Sequence, residues 1–156
     1  MNNKAVFAGT FDPFTLGHYE IVLRASKLFD KVVVAVAGDS GNKKCRYDEK
    51  MRAEIAKKSI SDIKNAEVVV FDGFLIDFMK CNGIKTFVRG LRNTVDFEYE
   101  KNLYNAYLSQ DDGVEGCYLM CSNEYAHISS SLVREVLSFN GKIDKYVKAE
   151  ALSLIK

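Results

Sequence analysis

The sequence predicts an α/β fold: a Rossmann-like, doubly wound sheet of five parallel strands with helices on both faces and further helices at the C-terminus. First, short apolar runs of strand length alternate with segments of helical spacing along the chain. Second, residues 32–37 form a continuous run of Val and Ala, which is typical of a parallel strand covered on both faces. Strands that alternate with helices in this way favour a parallel sheet.

Length and composition indicate one domain over residues 1–156. With 47% hydrophobic residues, the chain can bury a substantial core. A net charge of +1 excludes a polybasic surface for nucleic acid or membranes, and no apolar run approaches the length of a membrane span. The N-terminus shows no signal peptide, so we expect a cytoplasmic protein. With two histidines and no ligand set beside the four cysteines, no metal site is expected.

Each strand is predicted from its own apolar run. The first run reads A-V-F-A and ends at a glycine, and the fourth ends at Arg89. The predicted strands are residues 4–8, 32–37, 66–71, 86–88 and 116–120.

The helices are predicted from apolar spacing and capping residues. Ile21 and Ala25 share one face of the first helix, and Asp48 is a suitable N-cap for the second. Asn93 or Thr94 caps the long fourth helix. The apolar stripe of that helix is expected to consist of Val95, Tyr99, Leu103 and Ala106. The predicted helices are residues 17–29, 48–59, 74–81, 129–138 and 145–155, together with the long fourth helix, which ends before a loop at 111–113.

The fold also predicts where a ligand binds. Right-handed crossovers and the usual strand order put the first and fourth strands side by side, at the point where the order of the sheet reverses. Ligands of such sheets bind outside the carboxyl ends of the strands at that point. The loops that leave the first, fourth and fifth strands are also the richest in polar side chains, so fold and composition indicate one crevice.

The turn after the first strand has the features of an anion site. Residues 8–20 read A-G-T-F-D-P-F-T-L-G-H-Y-E, which places a glycine turn and a helix N-terminus directly after the strand. This arrangement aims backbone N–H groups at an anionic ligand. His18 falls on the helical stripe of Ile21 and Ala25, so its ring should face a pocket. The simpler alternative is a histidine packed against the sheet.

Arg89 and Arg92 stand at the end of the fourth strand. Two guanidinium groups there can clamp a phosphate, because each matches two phosphate oxygens. Alternatively, the arginines pair with the acids that follow, among them Asp96 and Glu100, as a surface network. Since Arg89 ends an apolar strand, the clamp is favoured, while Glu100 alone is interpreted as a solvated helix acid.

Two further loops carry polar groups. Three serines at 129–131 open a helix, where hydroxyls and free N–H groups suit a nucleotide phosphate, although N-capping needs only one of them. His127 is interpreted as a loop histidine. Lys43 and Lys44 lie in the polar loop 38–47, which is either a solvated loop or a segment that closes over an anionic substrate.

These residues together indicate a phosphate-rich ligand. The sequence lacks G-x-x-x-x-G-K-[ST], which excludes a P-loop enzyme, and it lacks G-x-G-x-x-G, which argues against dinucleotide binding. It contains no Ser-His-Asp or Cys-His set and no carboxylate pair placed for hydrolysis. The chemistry favoured is attack on a phosphorus atom, with negative charge stabilised in place and no covalent intermediate.

Four motifs resemble one enzyme family. The segment G-T-F-D-P-F-T-L-G-H at 9–18 resembles the T/H-x-G-H signature of the nucleotidyltransferase superfamily. R-G-L-R at 89–92, D-F-E-Y-E at 96–100 and I-S-S-S-L-V at 128–133 follow in the order and spacing of phosphopantetheine adenylyltransferases. The resemblance covers essentially the whole chain.

The resemblance implies transfer of AMP from ATP to 4′-phosphopantetheine, giving 3′-dephospho-CoA and pyrophosphate. By resemblance, the residues with catalytic roles are His18, Thr10, Lys43 and Arg92. The residues that bind the acceptor are Thr10, Lys43, Leu75 and Arg89. The residues that bind ATP are Thr10, Phe11, His18, Gly90, Leu91, Arg92, Glu100, Tyr125, Ala126, His127, Ile128, Ser129, Ser130 and Ser131.

The same resemblance implies Mg²⁺ carried mainly by the ATP phosphates, a cytoplasmic homohexamer, and inhibition by coenzyme A. The sequence departs from the family pattern at three places. Ala8 stands where the family commonly has Pro, and Tyr107 stands where it has an Asn near the pantetheine arm. The basic loop leaves open whether Lys43 or Lys44 is the functional lysine.

Two alternatives remain open from the sequence. Another adenylyl- or cytidylyltransferase of the superfamily, acting on glycerol phosphate or nicotinamide mononucleotide, usually has a histidine where this chain has Thr15. A nucleotide-binding regulatory module without turnover is disfavoured by the presence of His18, Arg89 and Arg92.

Overall fold

A computed structural model describes residues 3–38 and 44–156 of the chain. Within these residues, strands and helices alternate as predicted. The strands are β1 (Lys4–Gly9), β2 (Lys31–Ala37), β3 (Ala66–Phe71), β4 (Thr86–Leu91) and β5 (Glu115–Met120). The helices are α1 (Leu16–Ala25), α2 (Glu49–Ser59), α3 (Leu75–Cys81), α4 (Thr94–Leu108), α5 (Ser130–Ser138) and a C-terminal 3₁₀ helix (Ala149–Leu154).

The five strands form one parallel sheet in the order β3-β2-β1-β4-β5. The central strand β1 pairs with β2 on one side and with β4 on the other; Val6, for example, lies opposite Val33 and Phe87. The strand order reverses between β1 and β4. The predicted α/β sheet and the predicted neighbourhood of the first and fourth strands are therefore confirmed.

The core lies on both faces of the sheet, because β1 and β2 are buried between two layers of helices. Alternate residues of β1 point to opposite faces: Ala5 and Phe7 belong to one buried cluster, Val6 and Ala8 to the other. The first cluster includes α1, α2, α5 and the C-terminal segment, and the second includes α3 and α4. Among the described helices, none combines the length and apolar character needed to cross a membrane.

Three predicted boundaries are wrong. The fourth strand continues to Leu91, because Gly90 and Leu91 pair with the last residues of β5. The first helix ends at Ala25, after which Lys27 and Leu28 donate to carbonyls three residues back and tighten the turn. The last helix is shorter than the predicted 145–155, and its i→i−3 hydrogen bonds make it a 3₁₀ helix packed on α2.

The predicted apolar stripe of the long helix is wrong at three of its four residues, while Leu103 does pack against a buried cluster. Val95 and Tyr99 are 75% and 66% exposed, and Ala106 is exposed as well. The helix instead turns Glu100, Tyr104 and Tyr107 toward β4 and β5. Glu100 pairs with Arg89, and the Tyr104 hydroxyl donates to Glu115, so polar and aromatic contacts with the sheet both accompany this rotation of the helix.

Candidate active site

A cleft of about 530 Å³ opens at the carboxyl ends of β1, β4 and β5. This volume is typical of sites for small molecules and cofactors. Most of the site residues predicted from the sequence line this cleft. They are Thr10, Phe11, His18, Arg89, Gly90, Arg92, Glu100, Tyr125, Ile128, Ser129 and Ser130. The predicted convergence of three strand ends on one crevice is confirmed.

Five other predicted residues do not line this cleft. Leu75 and Leu91 are buried, Ala126 is half-buried, and His127 and Ser131 are exposed. Leu75 packs in the cluster between the sheet and α3.

The predicted lysine, Lys43, lies outside the described residues. Its alternative, Lys44, is exposed and does not line the cleft. The roles of these two lysines stay predictions.

The turn after β1 encloses His18 in aromatic rings. Phe11 adopts a φ of 51°, a left-handed conformation that costs a non-glycine residue about 1–2 kcal/mol. Its buried ring lies 5.2 Å from the Phe7 ring and 5.1 Å from the Phe14 ring, measured between centroids, and this packing offsets the cost. The His18 ring lies 5.0 Å from Phe11 and 5.2 Å from Phe14.

His18 also takes part in capping α1. Thr15 is the N-cap: its hydroxyl accepts from the His18 N–H, and its own N–H donates to Nδ1 of His18 at 3.0 Å. Because Nδ1 accepts this bond, the proton of the neutral ring resides on Nε2. The sequence left open whether His18 faces a pocket or packs against the sheet, and it does both.

The protonation state of His18 follows from its surroundings. Burial, and secondarily the charge of Arg92, lower the pKa of His18 from 6.5 to about 4. The ring is therefore neutral near pH 7. It presents a hydrogen-bond donor to the cleft but has little capacity to accept a proton there.

The two arginines line the cleft and also pair with acids, so the clamp and the ion-pair interpretations are both compatible with their positions. Arg89 donates to the Ala8 carbonyl at 2.8 Å and its Nε lies 3.3 Å from Glu100. Arg92 donates from Nε and Nη2 to the Asp96 carboxylate at 3.0 and 3.2 Å. These bonds hold both arginine side chains in the lining of the cleft before any ligand binds.

The two acids differ in their environment. The hydrogen bond from Arg92 lowers the pKa of Asp96, although burial opposes this effect. For Glu100 burial dominates and raises the pKa, with Arg89 opposing it. The Glu100 side chain is only 12% exposed, so its interpretation as a solvated helix acid is wrong. The reason is the rotation of α4, which directs this residue into the cleft.

The three serines at the start of α5 have different partners. The Ser129 hydroxyl caps the helix by accepting from the Leu132 N–H, and Ser130 donates to the Pro13 carbonyl at 2.8 Å. Ser131 faces Arg134 instead. The capping alternative thus holds for Ser129, while both Ser129 and Ser130 remain in the lining of the cleft.

Several lining residues were not predicted as site residues. They are Phe7, Ala8, Gly9, Thr15, Gly17, Ile21, Val95, Asp96, Tyr99 and Cys121. Val95 and Tyr99 were assigned to a packing stripe, and only the observed rotation of α4 exposes them to the cleft. Thr15 carried a usable signal, because it stands three residues before His18, which is the spacing of an N-cap and its partner.

The cleft suits a polyanion. Its walls combine a neutral histidine donor, two guanidinium groups and the N-termini of α1 and α5, all of which favour phosphate oxygens. In the part of the chain that the structure describes, no group of three or more His, Cys, Asp or Glu side chains is placed to hold a metal ion.

Comparison with known proteins agrees with this site. Residues 6–136 match the family model of cytidylyltransferase-like proteins. In overall fold, the chain is similar to a solved Vibrio parahaemolyticus structure assigned to nicotinate-nucleotide adenylyltransferase. The TM-score is 0.69 over 100% of both chains, at 19% identity.

Closer relatives match the sequence itself. A phosphopantetheine adenylyltransferase of Campylobacter concisus is 44% identical over 100% of this chain and 99% of its own length. The Aquifex aeolicus enzyme of the same name is 46% identical over 94% of this chain and 90% of its own length. That of Nautilia profundicola is 42% identical, with 97% and 98% covered. With similarity of this extent, and with the cleft at the reversal point of its sheet, the chain belongs to the phosphopantetheine adenylyltransferase family.

Proposed function

We propose that this protein transfers the AMP moiety of ATP to 4′-phosphopantetheine, giving 3′-dephospho-CoA and pyrophosphate. The observation that carries the proposal is the neutral His18, whose Nε2–H donor shares one cleft with Arg89 and Arg92. Membership of the family supports the choice of the two substrates.

The proposed step is an in-line displacement at phosphorus. An oxygen of the acceptor phosphate forms a bond to the α-phosphorus of ATP, and the bond to the bridging oxygen breaks. Pyrophosphate leaves with the electron pair. Because the attacking oxygen is already an anion, the step requires positioning and charge stabilisation and no general base. A histidine with a pKa of about 4 is suited to donate a hydrogen bond in such a step and poorly suited to remove a proton.

The two halves of the cleft take different parts in this proposal. Thr10, Arg89 and Lys43 hold the acceptor phosphate. Leu75, which packs outside the cleft, is assigned to the channel for the pantetheine arm by the resemblance alone. His18 and Arg92 bind the ATP phosphates and stabilise charge in the transition state. The remaining ATP contacts in the cleft are assigned to Phe11, Gly90, Glu100, Tyr125, Ile128, Ser129 and Ser130. The assignment of Leu91, Ala126, His127 and Ser131, which do not line the cleft, rests on the resemblance alone.

Magnesium enters the proposal with ATP. The carboxylates that line the cleft, Asp96 and Glu100, are engaged with Arg92 and Arg89. A site of this kind fits a Mg²⁺ ion that is held mainly by phosphate oxygens and water and that neutralises phosphate charge.

Three further properties are proposed from the resemblance alone. They are a homohexameric assembly, inhibition by coenzyme A and a cytoplasmic location. Light scattering of the purified protein tests the first, and turnover measured against coenzyme A concentration tests the second. Cell fractionation tests the third.

The reaction is tested by pyrophosphate release from ATP and Mg²⁺ with 4′-phosphopantetheine as acceptor. CTP, glycerol phosphate and nicotinamide mononucleotide serve as alternative substrates in parallel reactions. We expect release only with ATP and phosphopantetheine. Turnover on another acceptor would contradict the proposed substrate but keep the mechanism. Nucleotide binding without turnover on any acceptor would contradict the enzymatic function and favour a regulatory module.

A further inference from the structure

Arg52 is a fully buried arginine outside the cleft. It lies on α2, and its side chain has 0% exposure. It shares the buried face of this helix with Ala56 and Ser59, four and seven residues further along. A guanidinium group is retained in such a place only when its donors are satisfied, because burial of an unmatched charge is strongly unfavourable.

Within the described residues, Arg52 donates to carbonyls from three separate segments. Nη1 donates to the Thr10 carbonyl at 2.7 Å and to the Ala37 carbonyl at 2.8 Å, and Nε donates to the Tyr47 carbonyl at 3.0 Å. Thr10 belongs to the turn after β1, Ala37 is the last residue of β2, and Tyr47 precedes α2. One side chain therefore ties the carboxyl ends of the neighbouring strands β1 and β2 to the beginning of α2.

The same region is braced from a second direction. The Asp12 carboxylate accepts from the N–H groups of Arg46 and Tyr47 at 2.8 and 3.1 Å. Arg134 of α5 donates to the Asp12 carbonyl at 2.6 Å. The turn after β1 is thus held by Arg52 from one side and by α5 from the other.

We infer that Arg52 is a positioning residue for the acceptor half of the site. It fixes the backbone of Thr10, which lines the cleft, and it fixes Ala37 and Tyr47, which flank the segment that contains Lys43. Arg52 does not itself line the cleft, so its effect on the site is indirect and is transmitted by the backbone that it holds. The ATP contacts assigned to β4, α4 and residues 125–130 lie on other elements than the carbonyls of Thr10, Ala37 and Tyr47, so ATP binding should respond less than acceptor binding to the loss of Arg52.

The test compares Arg52→Lys and Arg52→Met with the wild type. Lysine keeps the charge but concentrates its donors on one atom, and methionine removes both charge and donors. We expect Arg52→Lys to raise the KM for phosphopantetheine by about tenfold and to lower kcat by about ten- to a hundredfold. The Kd for ATP, measured by calorimetry, should rise by a smaller factor than the KM for phosphopantetheine. Arg52→Met should have the larger effect in the same direction.

Arg24→Met is the matched control. Arg24 also donates from a helix to a carbonyl, that of Met120, but it lies outside the cleft and away from the turn after β1. This variant should keep both the KM for phosphopantetheine and the Kd for ATP. Circular dichroism shows whether each variant folds. If Arg52→Met does not fold, the comparison of the KM for phosphopantetheine with the Kd for ATP is made with Arg52→Lys alone. A folded Arg52→Lys protein with unchanged kinetics, or with equal losses for both substrates, would overturn the inference.

Hydrogen exchange provides a readout that does not depend on turnover. In Arg52→Lys, amides of residues 9–12 and 44–48 should exchange faster than in the wild type, while those of α5 should not change. The kinetic test of Arg52 rests on the proposed function. If the wild-type protein were inactive with phosphopantetheine, that result would contradict the proposed function but not the role of Arg52. Unchanged exchange at residues 9–12 and 44–48 would contradict the role of Arg52.

Discussion

At the scale of single residues, His18 combines two roles that usually belong to different side chains. Its Nδ1 accepts from the Thr15 N–H and completes the cap of α1, and its opposite nitrogen is left as a donor toward the cleft. The low pKa of His18, about 4, keeps the ring neutral near pH 7. A neutral ring with its proton on Nε2 can accept a hydrogen bond at Nδ1 and donate one from Nε2. The proton position is thus set by backbone geometry and not by an acidic partner.

We therefore expect His18→Ala to fold and to lose activity. The variant removes one preorganised donor, and losses of this kind amount to about 10²–10³ in kcat. Steady-state pyrophosphate release measures the effect, with circular dichroism as the check on folding. An unchanged kcat in a folded variant would remove His18 from the mechanism.

A second expectation at this scale separates the two lysines of the basic loop. Replacing the functional lysine with alanine should raise the KM for phosphopantetheine more than the Kd for ATP, because its proposed partner is the acceptor phosphate. Lys43→Ala and Lys44→Ala are each other's matched control. Equal losses for both substrates in either variant would indicate that this lysine does not bind the acceptor specifically.

At the scale of elements, α4 shows most clearly what sequence spacing does not determine. Apolar spacing predicts a stripe through Val95 and Tyr99, yet the helix buries Tyr107 and directs Glu100 to Arg89. The deciding contacts join residues far apart in the chain, so no local pattern contains them. Strand β4 is similar: its last two residues are strand because β5 pairs with them.

The rotation of α4 has a measurable consequence for stability. Tyr107 is 4% exposed and packs edge-on against Phe87, so Tyr107→Ala should lower the free energy of unfolding by about 3 kcal/mol or more. Tyr99→Ala, at an exposed position of the same helix, should change it by no more than about 0.5 kcal/mol. Urea denaturation of both variants measures the difference. Equal losses would mean that the predicted stripe packs after all.

The strands, in contrast, could be predicted from the sequence because their signal is local. In a continuous apolar run such as residues 32–37, every side chain leaves water only if both faces of the strand are buried. The alternation of such strands with helices then favours a parallel sheet. The position of the cleft follows from the strand order. Arg52 was not predicted, because the sequence does not show which carbonyls its side chain meets.

At the scale of the whole molecule, the His18 ring links stability to pH. Its pKa is about 4 in the folded protein and about 6.5 when the chain is unfolded, so the unfolded chain binds the proton more readily. The stability that the neutral ring contributes is fully present above pH 6.5 and is lost as the pH falls toward 4. The loss from this group amounts to at most about 3 kcal/mol.

Unfolding in urea at several pH values tests this linkage. Between pH 6.5 and 4, the free energy of unfolding should fall more steeply for the wild type than for His18→Asn, which cannot titrate. Parallel curves for the wild type and His18→Asn would contradict the low pKa.

The capping box of α1 limits how the protein could be made more stable. The usual way to strengthen a helix start is to place Glu or Gln at the third helical position, where it bonds back to the N-cap. Here that position is His18. Replacing His18 with Glu or Gln by this general rule would strengthen the cap of α1, and the same substitution would remove the proposed transition-state donor. Libraries selected for heat resistance alone should therefore be enriched at this position in variants that are folded and inactive.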